Sequence, residues 1–167
     1  MRISGLVEGD HDFTFELDQK FFASLEQAEI EKGHLKADLI LEKKTGVFSL
    51  HFHLFGEVEV NCDRCLEPFM AEIDTEQTIF VKLGEEAGEI EDDVIMIHRD
   101  DHEIEVGQYM YEFVLLALPY QRYHPNDDEG VPGCNPDMIR RLEELQGKEE
   151  NTDQTDPRWD SLKGIIE

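Results

Sequence analysis

The chain has 167 residues, of which 40 are Asp or Glu and 15 are Lys or Arg, for a formal charge of −25. One domain with a modest core is the expectation at this length, and 33% charged residues place a wide solvated surface around it. Such a balance disfavours broad contact with nucleic-acid phosphates or anionic lipid, which needs clustered Lys and Arg, and favours basic partners or plain solubility.

The first ten residues lack the apolar core of a secretory leader. No apolar run reaches the ~20 residues that cross a bilayer. An odd number of cysteines, three, with two in a C-x2-C spacing, fits a reducing compartment better than a disulfide framework. The expected location is the cytoplasm.

In chain order, residues 3–7 read as a short strand. Phe13, Phe15 and Leu17 then recur at period two, the mark of a strand with one apolar face. Asp18 is a good N-cap for a helix over 19–28 that carries Phe21, Phe22, Leu25 and Ala28. Strands over 35–42 and 47–55 are joined by Lys43, Lys44, Thr45 and Gly46, a hairpin signal. Leu50, Phe52 and Leu54 take one face of the second strand, leaving His51 and His53 on its solvent side. Gly56 marks a bend or bulge, after which Val58, Val60 and Cys62 continue the alternation.

A turn follows, Cys62-Asp63-Arg64-Cys65, and 70–83 alternates again as the return strand of a hairpin. Residues 84–89 are an acidic, mobile loop, and 94–97 a short buried strand. The apolar stretch over 108–118 is too long and continuous for a strand and reads as a buried helix that Pro119 ends. Residues 120–133 are irregular. Asn135 and Pro136 then open a helix as N-cap and first residue. The fold class expected is α+β: a curved antiparallel sheet or partly open barrel with a buried helix across it.

That domain spans 1–146. A polar, acidic linker over 147–155 has too few apolar residues to fold and is expected to be disordered. The end, 156–167, has an N-cap at Asp156, Pro157 at the first helical position, and Trp159, Leu162 and Ile166 at helical spacing. It is a docking motif, either for its own domain or for a partner.

Cys62, Cys65, His124 and Cys134 would together make a Cys3His set, a normal structural zinc combination. The alternative is that Cys62 is a buried strand residue and the other thiols are bystanders. A redox pair fits less well, because catalytic C-x2-C motifs sit at helix starts and this one leaves a strand. Arg64 stands inside the turn, beside the candidate metal. No phosphate loop, dinucleotide fingerprint, HExxH or GxSxG motif is present, so the expectation is no enzyme.

The turn Cys62-Asp63-Arg64-Cys65-Leu66-Glu67-Pro68-Phe69 resembles that of the YceD family, bacterial and plastid proteins linked to accumulation of large-subunit ribosomal RNA. Ile104-Glu105-Val106, Leu116-Ala117-Leu118-Pro119, the loop from His124 to Cys134, and Asp156-Pro157-Arg158-Trp159 are similar in the same order. Some members carry a fuller zinc-ribbon pattern in that loop; here His124 and Cys134 alone remain, as in other reduced members. The acidic linker resembles the family's Bacteroidetes version. The resemblance implies a part in large-subunit biogenesis and strengthens the Cys3His expectation. Combined with the charge, it points to a non-catalytic factor that binds basic ribosomal or assembly proteins, with Arg64, Arg158 and Trp159 as contacts. Direct RNA binding through the cysteine turn is the alternative, and a zinc or dithiol enzyme a weaker third.

Overall fold

The computed structural model describes residues 1–25, 28–85, 87–91, 93–126, 130–131 and 133–145. Nine elements follow in order: β1 (Gly9–Leu17), α1 (Gln19–Ala23), β2 (Gly33–Lys44), β3 (Val47–Asn61), β4 (Pro68–Gly84), β5 (Gly88–Glu91), β6 (Val94–His98), α2 (Gly107–Ala117) and α3 (Pro136–Leu145). The strands form one open sheet in the order β1-β2-β3-β4-β6-β5. The architecture is α+β, as the alternating patterns imply.

Strands β1 to β4 pair antiparallel in sequence order. The β2–β3 hairpin closes with Lys44 opposite Val47, so Thr45 and Gly46 form a two-residue turn, with Gly46 at a positive φ (80°) that glycine adopts without a Cβ clash. The period-two pattern is realised: Leu35, Ala37, Leu39 and Leu41 of β2 and Leu50, Phe52 and Leu54 of β3 are buried on one face. His51 and His53 lie on the other, bonded to Thr78 and Asp74. Helix α2 packs across the buried face, with Phe113 edge-on to Phe52 at 5.3 Å between centroids. Tyr111 reaches from α2 so that its hydroxyl accepts the Glu29 amide at 2.7 Å. Leu116 is 75% exposed, so α2 buries one side rather than its whole circumference.

Four expectations need correction. Residues 3–7 form no strand: Arg2 makes one isolated bridge to Glu103, and the chain then turns at Ser4 and Gly5 (φ 83°). Helix α1 ends at Ala23, where the Ser24 hydroxyl donates to the Phe21 carbonyl and its amide closes the last turn. The acidic stretch after Gly84 contains strand β5, because β6 offers it an edge to pair with. Gly56 is no bulge; it stays in register opposite Leu35 with φ 141°, and a Cβ there would collide with the His34 carbonyl oxygen. The parallel pairing of β6 with the end of β4 is an addition to the expected antiparallel sheet.

Helix α3 begins as expected. The Asn135 Oδ1 accepts from the amides of Asp137 (2.9 Å) and Met138 (3.4 Å), capping the first turn. The linker over 147–155, the helix over 156–167, Arg158 and Trp159 all lie outside the described residues.

Candidate metal centre

The tip of the β3–β4 hairpin is a tight knuckle. The Cys62 amide donates to the Glu67 carbonyl at 3.0 Å and the Leu66 amide to the Cys62 carbonyl at 2.9 Å. Leu66 carries the strain, at φ 63°, a left-handed conformation that a branched side chain adopts at some cost. This curl points both thiols the same way, and the Arg64 amide approaches the Cys62 Sγ at 3.4 Å.

The connection after α2 folds back onto that knuckle. Cys134 Sγ lies 3.7 Å from Cys62 Sγ, and His124 Nδ1 lies 3.4 Å from Cys65 Sγ. All four donor atoms fall within 4.8 Å of one another. The thiols are buried, at 0, 3 and 7% exposure for Cys62, Cys65 and Cys134, and Met138, Ile139 and Phe69 pack around them. The Phe69 ring also stacks obliquely on His124, 4.9 Å between centroids. The four residues singled out in the sequence are thus brought together.

The donor set fits a metal. A tetrahedral zinc with bonds near 2.3 Å to sulfur sets ligand atoms about 3.7 Å apart, close to the sulfur spacing observed. The same 3.7 Å is far too long for a disulfide, and all three cysteines are free. Burial pushes the Cys62 thiol up, but the amides of Cys65, Arg64 and His124 and the His124 side chain outweigh it and hold the thiol at about 6. Burial and the neighbouring Cys62 and Cys65 sulfurs push Cys134 up. Clustered thiols with one already inclined to ionise are what a soft divalent cation replaces protons on.

A clasp that the sequence did not signal holds the two segments together. The Asp63 amide donates to the Arg122 carbonyl at 2.7 Å, while the Arg122 amide returns a bond to the Asp63 carboxylate at 2.6 Å. The Arg122 guanidinium spans to Glu29 at 3.0 Å. Asn135 adds a second tie, donating from Nδ2 to Glu67 at 2.6 Å. These are ordinary polar residues in the chain, with no spacing that would mark them. Arg64 is exposed and lays its guanidinium over the Tyr123 ring at 4.6 Å.

A family model described as large ribosomal RNA subunit accumulation protein YceD matches residues 50–165. The chain belongs to the YceD family. The matched span opens inside β3 and includes all four donors, whereas β1, α1 and β2 precede it. The family description implies a role in accumulation of large-subunit ribosomal RNA. No curated protein and no solved structure gives a significant match to the chain. Among the described residues no helix is long and apolar enough to cross a membrane.

Proposed function

We propose that this YceD-family chain is a non-catalytic adaptor in large-subunit biogenesis. It binds basic ribosomal or assembly proteins through its acidic surface, in the cytoplasm, and a structural zinc on Cys62, Cys65, His124 and Cys134 fixes the end of the sheet. The observation that carries this reading is the charge of −25 in a family described by ribosomal RNA accumulation. Phosphates repel such a surface, so the basic proteins of a maturing subunit are the natural contact.

A closed donor set supports the structural role for zinc. Three sulfurs and one imidazole complete a tetrahedral shell, whereas catalytic zinc keeps a position open for water or substrate. The metal's contribution is a cross-link. Arg158 and Trp159 would supply a second contact, since Trp and Arg dominate interface energetics.

The test is retention of the full chain on immobilised large-subunit ribosomal proteins. Retention should be strong at low salt, weaken steadily toward physiological salt, and fall about tenfold in Trp159→Ala. Salt-independent or absent retention would sink the adaptor reading, and equal retention of the Trp variant would remove the tail from it. Elemental analysis of protein purified without chelator should give about one zinc per chain, lost in Cys134→Ser. Zinc-free native protein would remove the staple.

A second reading is direct RNA contact. It is favoured by the Arg64–Tyr123 pair, a cation held on an aromatic plane of the kind that stacks on unpaired bases. A gel shift on large-subunit ribosomal RNA that is unchanged by Arg64→Ala would eliminate it.

A further inference from the structure

Strand β4 is 17 residues long, yet its second neighbour β6 covers only Phe80 to Gly84. Residues 68–79 pair with β3 alone, and among the described residues no strand takes their other side. A free edge of this kind offers amides and carbonyls to an added strand. The outer sides of β1 and β5 are also sheet edges. What sets the β4 edge apart is the groove beside it.

That groove, about 510 Å³, lies between the start of β4 and the connection that follows α2. Phe69, Met70, Pro119 and Tyr123 give it apolar surface, and Glu57 and Glu72 stand at its rim. Met70 is 42% and Tyr123 39% exposed, so this apolar surface meets solvent. Glu57 and Glu72 face each other in register across the β3–β4 ladder. Like charges so placed disfavour the pairing, and among the described residues neither carboxylate has an ion-pair partner. A cation brought between them would relieve that repulsion.

We infer that the free edge of β4 and its groove form the docking site for an extended, basic segment of a partner protein. The segment adds a strand to the sheet, sets an apolar side chain against Met70 and Tyr123, and points Lys or Arg at Glu57 and Glu72. Met70 and Glu72 lie two apart on β4 and so share a face, and side chains two apart on the added strand meet both. This site rests on the adaptor reading and gives it a location. The rival occupants are less suited by charge: residues 146–167 of the chain hold six acidic and three basic residues, and a second copy carries the same −25.

The probe is a synthetic decapeptide that alternates lysine with valine and carries one phenylalanine in a lysine place, on the lysine face, with a glutamate-for-lysine version as control, added to the full chain. The lysine peptide alone should bind and should protect the amides of residues 69–76 from hydrogen exchange. Binding should weaken roughly tenfold in Glu57→Lys/Glu72→Lys and stay unchanged in Asp12→Lys/Glu16→Lys, which shifts the net charge equally on β1. Equal weakening in both double variants, or protection at β1 or β5 instead, would overturn the site while leaving the adaptor reading intact. So would protection of β4 before any peptide is added. If that protection vanishes in Trp159→Ala the occupant is the chain's own end, and if it grows with concentration, a second copy. Failure of the peptide to bind, with retention on ribosomal proteins preserved, would also end the inference alone; loss of both would end the adaptor reading with it.

Discussion

Cys62 shows how a single side chain is set by its surroundings. It is buried, which alone would keep the thiol protonated, yet donors from the knuckle and from His124 bring it to about 6 against an ordinary 9.0. The consequence for stability has a definite sign. A thiol whose folded value lies below its unfolded one adds stability that is complete above about pH 9 and is lost as pH falls toward 6. Metal-free protein in urea titrations should therefore become less stable from pH 9 down to 6. A flat profile across that window would show that the donors do not favour the thiolate. With zinc bound the dependence should move to lower pH, because the metal competes with protons for the same sulfurs.

Helix α3 contributes little to the core: none of its residues is fully buried. Its position depends on polar bonds at its first turn, from Asn135 to its own amides and to Glu67, and on Met138 and Ile139 against the cysteines. Asn135→Ala removes both the cap and the tie. Unfolding measurements should show a loss of about 1 kcal/mol, the usual worth of a cap, and zinc loaded onto the proposed site should leave to a chelator faster than from the native chain. Unchanged chelation kinetics would mean that α3 does not guard the centre. The knuckle itself is better supported, since it closes the antiparallel pairing of β3 and β4 that runs from Val47 opposite Lys82 to Asn61 opposite Pro68.

The whole molecule carries far more negative charge than its sheet can pair. Most of the described ion pairs are exposed, such as Arg2–Glu103 and Lys36–Asp38, and exposed pairs contribute little. Self-repulsion at −25 should therefore depress stability at low ionic strength. The melting temperature should rise as salt is increased from low to physiological levels. The same salt should weaken retention on basic proteins, so stability and binding should move in opposite directions. If both fall together, the binding loss reflects unfolding and not screening.

Much of this was determined by the sequence on its own. Period-two alternation is a local property, so Phe13 to Leu17, Leu50 to Leu54 and the strands around the C-x2-C turn were readable before any contact was known. The same holds for the Asn135-Pro136 helix start and for the four donor types. Tertiary structure decided the rest. Cys134 is 72 residues from Cys62 and His124 is 59 from Cys65, and no local pattern states that such segments meet. They meet because α2 lies across the sheet and releases the chain at the hairpin tip, where Asp63, Arg122, Asn135 and Glu67 lock it. Gly56 follows the same logic: a glycine inside a strand suggested a bend or bulge, but the close approach of the β2 backbone is what requires a residue without a Cβ. Short-range periodicity fixes which face a side chain takes, while long-range packing fixes what that face meets.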